Sequence, residues 1–133
     1  MKPFKKIKLA LALIGAGFGF KMMIYFLGTD PHVAINQSRE LFENRCSQCH
    51  GINEANNMES YLPRSIQKTV ENMKRKSDSG ISSHEAEQIY EYLVYEYSTK
   101  YPERLHAELQ ALPEEERKKE QAKINHITSK FNF

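Results

Sequence analysis

Cysteine is scarce in this chain of 133 residues, which contains two, Cys46 and Cys49. Because both lie in one short segment, none is left for a structural disulfide elsewhere in the protein. A zinc site built on a Cys-x-x-Cys pair usually takes a second ligand pair downstream, and the sequence does not supply one. Any chemistry of the two cysteines is therefore confined to the segment around residues 46–49.

Tryptophan is absent, and no segment shows the alternation of apolar and polar residues that predicts a β-strand. The sequence also has no visible internal repeat. Apolar residues recur instead at helical spacing, so we predict an all-α fold. The length allows one small domain with extensions at its ends.

Acidic residues are missing from the first 28 positions, which hold five lysines. The rest of the chain carries 14 lysines and arginines against 17 acidic residues. A mildly acidic body argues against nucleic acid as a partner. The same acidic balance is compatible with a partner protein that docks through a basic surface.

A long apolar run, Leu9 to Leu27, follows the basic start and contains one charge, Lys21. As a helix it would span about 28 Å at about 1.5 Å per residue, which nearly matches a hydrocarbon core of about 30 Å. A clear Ala-x-Ala cleavage site is missing, so we expect residues 1–28 to be an uncleaved transmembrane signal anchor, with a cleaved signal peptide as the alternative. The lysines before the run predict that the rest of the chain lies on the periplasmic side of the inner membrane.

The two cysteines belong to the segment Cys46-Ser-Gln-Cys-His50. Cys-x-x-Cys-His is the attachment signature of c-type haem, in which each cysteine forms a thioether to a vinyl group. The histidine then binds the iron from the proximal side. A thioredoxin-like redox pair would be expected within a βαβ pattern, which is not seen here. We therefore predict one covalent haem c, attached at Cys46 and Cys49, with His50 as an iron ligand.

The segment before this motif is predicted to be a linker, residues 29–36, followed by a helix. The Asp30-Pro31 step discourages a helix that continues across it. Asn36 or Ser38 can cap a helix that runs to Arg45, and Phe42 supplies an apolar contact.

Two further helices are predicted after the motif. One runs from Arg64 to about Lys76, because Ile66, Val70 and Met73 recur on one helical face. The other begins at the capping box Ser82-Ser-His-Glu85 and runs to about Lys100. With the first helix they define a domain over residues 37–100.

Residues 101–133 are predicted to be a helical C-terminal extension of this domain. Pro102 begins one short helix, and Pro113 begins another with three glutamates in its first turn. The stretch is highly charged and poor in apolar residues until Ile124, Ile127, Phe131 and Phe133. It is either a solvated helix with a frayed tail or a docking arm whose apolar end needs another subunit.

The motif leaves the sixth iron ligand open. Periodicity alone makes Met73 an ordinary core residue beside Ile66 and Val70. Met58 lies only eight residues after His50, so the segment between them is short for a chain that must pass around the edge of a porphyrin. The remaining candidates are histidines that lie in an exposed capping box or outside the compact segment: His84, His32, His106 and His126.

The segment from about Gln37 to Tyr97 resembles the small mono-haem class I cytochrome c domains. The matching elements are Glu40 to Gly51 around the motif, Val70-Glu-Asn-Met73, and Gly80 to Leu93. In a subgroup that includes cytochrome subunits of periplasmic dehydrogenases, the second helix carries Trp-x-x-x-Val-x-x-Met, and its methionine is the usual sixth ligand. This chain has Ile66 at the tryptophan position.

The resemblance implies Met73 as the distal iron ligand, with Met58 as the alternative. We expect Phe42, Ile66 and Val70 to pack against the haem. A six-coordinate iron with histidine and methionine ligands has no open site, which implies electron transfer rather than enzyme catalysis.

The expected function is therefore that of a membrane-anchored electron carrier without a small-molecule substrate. Its expected partners are redox proteins of a respiratory or photosynthetic chain, with the chain itself a subunit of a membrane complex. A haem peroxidase or a gas sensor with an open sixth site is the alternative. A structural or assembly subunit, in which the haem is a tether or relay, is compatible with electron transfer.

Overall fold

A computed structural model describes residues 31–48, 51, 58–76 and 78–132. This part of the chain contains no strand, which confirms the predicted all-α fold. Its five helices are α1 Pro31–Cys46, α2 Pro63–Lys74, α3 Ser83–Lys100, α4 Pro102–Gln110 and α5 Glu114–Phe131.

The chain divides into two units, Met1–Asp30 and Pro31–Phe133. The predicted signal anchor, residues 1–28, lies outside the described residues. Among the helices that are described, none is both long enough and apolar enough to cross a membrane.

α1 begins at Pro31, earlier than the predicted start at Gln37 or Ser38. The prediction of a linker over residues 29–36 was therefore wrong for residues 31–36, which form the first turns of the helix. Proline suits the first helical position, because its missing N–H would have no partner there and its fixed φ is already helical. The Asp30-Pro31 step thus marks where a helix begins.

α2 and α3 begin within one residue of their predicted starts. Pro63 stands in the first turn of α2, one residue before the predicted start. The capping box of α3 is present: the Ser82 hydroxyl accepts the N–H of Glu85 at 3.2 Å, and the Glu85 carboxylate accepts the N–H of Ser82 at 2.8 Å. These two bonds satisfy donors that a helix start would otherwise leave unpaired.

α3 is the central helix and contacts each of the other four helices. It is buried on several sides, through Ile89, Tyr92, Val94 and Tyr97. α1 and α2 both pack on α3, but no Cα atom of one of these two described helices lies within 8 Å of the other.

The C-terminal helices pack against the rest of the unit, so the described part of the extension is not a solvated helix. Leu105 and Leu109 of α4 and Ile124 and Ile127 of α5 are buried. α5 contacts α1, α2, α3 and α4. For the described residues, the apolar positions are thus used within the chain, and the predicted domain boundary at residue 100 does not separate two packing units.

Burial of α5 gives a test by large-to-small substitution. Ile127→Ala is expected to lower the free energy of unfolding by about 2–5 kcal/mol, because it removes buried methyl groups and leaves a cavity. Urea unfolding, followed by helical circular dichroism, measures this loss. His126→Ala, at the exposed neighbouring position, is the control and should stay within about 0.5 kcal/mol of the parent. Equal, small effects at both positions would mean that α5 is a solvated helix.

Candidate functional site

The described part of the predicted haem site lies in the apolar core. Cys46 is the last residue of α1 and is 4% exposed. Phe42 lies one turn earlier on α1, and Ile66 and Val70 lie on α2; all three are buried. The structure therefore brings the first cysteine of the motif into one continuous core with the three predicted packing residues.

The other two residues of the motif, Cys49 and His50, lie outside the described residues. Their predicted roles in haem attachment and iron ligation stay predictions. In the described ranges, no group of three or more histidine, cysteine, aspartate or glutamate side chains is placed to hold a metal ion. The predicted iron ligands are a histidine and a methionine, so they are not a group of that kind.

The two candidate methionine ligands lie near opposite ends of α2. Met58 precedes the helix and is buried, whereas Met73 stands in its last turn and is half-buried. Both pack against the core that contains Cys46. This packing is compatible with either methionine as the predicted iron ligand.

α3 adds two buried apolar residues, Ile89 and Leu93, to the core that contains Cys46. Their direction follows from Tyr92 and Tyr97, which lie on either side of them around the helix. Tyr92 faces α1, where its ring centroid lies 5.6 Å from that of Phe42. Tyr97 faces the segment before α2, where its ring stacks on Tyr61 at 4.3 Å between centroids. At 3.6 residues per turn, Ile89 and Leu93 point between these two directions. Both are buried, so this face of α3 is apolar between the two tyrosines.

The end of α1 is tied to the beginning of α3 beside the site. The Arg45 side chain, which neighbours Cys46, donates two hydrogen bonds to Glu85 Oε1, and the Nε bond is 3.0 Å long. Gly80 has a φ of +58° in the turn before α3, a conformation that glycine adopts without steric cost. Arg45 Nη1 would lie 3.8 Å from a Cβ placed at Gly80, so this turn and Arg45 are neighbours.

Hydrogen bonds hold Glu85 in its ionised form. The bond from the backbone of Ser82, followed by those from the side chains of Arg45 and Ser82, lowers the pKa of Glu85 from 4.5 to about 2. The carboxylate therefore stays charged at neutral pH. It accepts hydrogen bonds both from the N-cap of α3 and from Arg45 of α1.

Sequence reasoning missed how the C-terminal helices hold the segment Met58–Leu62, which we call the strap. Arg104 Nη2 donates to the carbonyl oxygens of Met58 and Glu59, at 3.1 and 3.0 Å. The guanidinium carbon of Arg104 lies 3.9 Å from the ring centroid of Tyr61. Arg104 therefore contacts the strap through both its charge and its planar face.

Glu108, one turn along α4, holds the same strap through its carboxylate. Its Oε2 atom accepts from the Ser60 hydroxyl at 2.7 Å and from the Tyr61 N–H at 2.8 Å. Its Oε1 atom accepts from Arg104 Nε at 3.0 Å. The sequence shows Arg104 and Glu108 at i and i+4, which predicts a local surface pair, but it does not show the partners more than 40 positions away.

The beginning of α2 also takes a capping group from α5. α2 has no side-chain hydrogen bond from its own N-cap residue, Leu62. Instead Glu120, which is 4% exposed, accepts the backbone N–H of Arg64 at 2.9 Å. Its other oxygen accepts from Lys123 at 2.9 Å. A buried carboxylate is tolerated here because it has both a charged partner and a backbone donor.

Comparison with known proteins gives no match, either to a protein-family profile, to a curated protein or to a solved structure. The candidate site is therefore defined by its own residues: Cys46, the apolar side chains around it, and the two methionines of the α2 region.

The lowered pKa of Glu85 predicts how stability changes with pH. A carboxyl group whose folded pKa is depressed stabilises the fold above its ordinary pKa, and this contribution is lost as the pH falls through the folded value. Glu85→Gln should therefore be less stable than the parent at neutral pH. The difference should shrink between the ordinary pKa of 4.5 and a pH of about 2.

Urea unfolding of both proteins across this pH range measures the difference. Glu103→Gln changes an exposed acid in the first turn of α4 and serves as the control. A loss at Glu85→Gln that is the same at both ends of the range would assign the effect to packing and would contradict the prediction.

Proposed function

We propose that this chain is a membrane-anchored mono-haem c-type cytochrome that transfers single electrons between redox partner proteins. One haem c is held by Cys46 and Cys49, and His50 is the proximal iron ligand. The observation that carries the proposal is the segment Cys46-Ser-Gln-Cys-His50, which begins at the buried last residue of α1.

The surroundings of Cys46 suit a thioether better than a reactive thiolate. Redox-active and nucleophilic cysteines lie in partly exposed, electropositive places that lower the thiol pKa. Cys46 is instead the buried last residue of α1, in the apolar core that includes Phe42, Ile66 and Val70. This burial supports haem attachment over a thioredoxin-like redox pair.

Bound haem c would supply a reversible one-electron couple. The apolar side chains around the site would bind its faces and exclude water: Phe42, Ile66, Val70, Ile89 and Leu93. A low local dielectric disfavours the extra charge of the oxidised state. A methionine sulfur at the sixth position acts in the same direction, because thioether ligation raises the reduction potential.

The proposed setting follows from the sequence. Residues 1–28 would anchor the chain in the inner membrane, with the haem unit on the periplasmic side. The partners are redox proteins, such as the subunits of a membrane complex, and the acidic balance beyond residue 28 suits a basic docking surface. The buried apolar residues of α4 and α5, Leu105, Leu109, Ile124 and Ile127, pack within the chain and would take no part in docking.

Haem attachment is tested on the full chain made with a cytochrome c maturation system. The purified protein should carry one haem that survives denaturation, visible as an added mass and as a pyridine haemochrome spectrum. Cys46→Ala and Cys49→Ala should each reduce the covalent attachment, and the double variant should abolish it. Ser47→Ala changes an exposed position of the same motif and should keep the haem. Wild-type protein without covalent haem would overturn the proposal.

The sixth ligand is tested in the same protein. A methionine sulfur–iron bond gives the ferric protein a weak absorption band at the red end of the visible spectrum. Met73→Ala should abolish this band, whereas Met58→Ala should keep it. The opposite pattern would assign Met58, and a spectrum insensitive to both would exclude both.

Carbon monoxide binding separates electron transfer from the alternative function. Ferrous protein with a closed sixth site should bind carbon monoxide slowly or weakly. Fast, complete binding together with a high-spin spectrum would favour a peroxidase or a gas sensor.

A further inference from the structure

We propose that Arg104 and Glu108 of α4 are positioning residues that hold the strap, Met58–Leu62, and the beginning of α2 so that the sixth side of the haem iron stays closed. This inference rests on the proposed function and deepens it. It assigns a role at the site to the C-terminal helices, which lie beyond the segment that resembles cytochrome c.

The two side chains hold four consecutive residues of the strap from outside. Arg104 donates to the carbonyl oxygens of Met58 and Glu59, and Glu108 accepts from the hydroxyl of Ser60 and the N–H of Tyr61. All four bonds have a charged partner on one side, which makes them stronger than neutral hydrogen bonds. Because Arg104 also pairs with Glu108, the two side chains act as one unit.

The strap points its apolar side chains toward the core. Met58, Tyr61 and Leu62 are all buried in the core that contains Cys46. The Tyr61 ring packs both on Tyr97 of α3 and on the guanidinium of Arg104. The backbone of the strap is therefore fixed by α4 while its side chains pack beside the candidate site.

The strap also determines where α2 begins. It runs directly into Pro63, and the next residue, Arg64, donates its backbone N–H to Glu120 of α5. α2 carries Ile66, Val70 and Met73. A strap released from α4 would therefore displace Met58 directly and Met73 through the helix. The proposal holds for either methionine as the iron ligand.

Release of the strap is expected to be a local event. Glu59 is exposed and Ser60 is half-exposed, so water can replace the lost partners on this part of the backbone. Such local openings occur without global unfolding. Their increase can therefore be measured in a protein that remains folded.

The experiment combines two measurements on full-length haem protein, with Arg104→Gln, Glu108→Gln and the double variant. Hydrogen exchange, read by mass spectrometry, should show that the peptide covering residues 58–64 exchanges about five- to tenfold faster in the double variant. Carbon monoxide association with the ferrous protein should accelerate by a similar factor. Arg104→Lys keeps the charge but not the forked donor geometry, so it should give only partial rescue relative to Arg104→Gln.

Three controls separate this role from a general loss of stability. Arg117→Gln and Glu114→Gln make the same charge changes on α5, where Arg117 contacts Gln110 and Glu114 contacts Lys118. Both should leave exchange at the strap and carbon monoxide binding unchanged. Ile127→Ala is expected to lower global stability without removing a charged group that bonds to the strap, and it should not reproduce a selective increase at residues 58–64.

Either of two results would overturn the proposal: unchanged exchange at residues 58–64 in the double variant, or faster exchange with unchanged carbon monoxide binding. A wild-type protein that takes up no haem would instead defeat the proposed function. The exchange measurement would still show whether Arg104 and Glu108 hold the strap, so the two failures are distinguishable.

Discussion

α3 can be buried on several sides only because four helices surround it, and this constraint organises the whole described unit. The helix has a strong local start, since Ser82 and Glu85 satisfy each other's backbone donors. Its length then provides separate surfaces for α1, α2, α4 and α5. With fewer helices, apolar residues of α3 would be exposed, at a cost of about 1.5–3 kcal/mol for each large side chain. The C-terminal helices are therefore required by the burial of α3, as well as by their own apolar residues.

The charged contacts of this protein differ in what they contribute. Pairs between exposed side chains, such as Lys118 with Glu114, contribute about 0–1 kcal/mol because water competes for both partners. Carboxylates that accept backbone N–H groups at a helix start have a second role, because those donors have no partner within the helix. Glu85 does this within α3, and Glu120 does it for α2 from a distant part of the sequence. The second arrangement fixes the position of one helix relative to another, which a local cap cannot do.

The sequence predicts those features of the fold that depend on a few neighbouring residues. The capping box at Ser82 and the apolar stripe of α2 are of this kind, and both are found in the structure. The start of α1 was misplaced because a proline forbids helix before it but favours helix from its own position onward. The role of α4 and α5 was missed for a different reason. Their buried residues are sparse among charges, and no local pattern shows that Ile124 and Ile127 meet the core of an earlier segment.

The same distinction applies to the candidate site. A c-type haem site combines two cysteines for attachment with a histidine for the iron at fixed spacing, so five residues are enough to predict it. The sixth ligand of the proposed haem would depend on which side chain the tertiary structure brings to the iron, and sequence spacing alone cannot show this. Met58 has its carbonyl oxygen bound by Arg104, and its backbone could reach a new position only after that bond is broken.

Met73 lies in the last turn of α2, half-buried, where an unbranched side chain can change rotamer while the helix stays in place. Under the proposed function, a ligand that must adjust to the iron would therefore be less costly to supply from Met73 than from Met58. The fixed strap would then keep α2 in a position from which Met73 could bind the iron of the proposed haem. The two methionines would then have complementary roles, one anchoring the approach to the helix and the other completing the coordination at its far end.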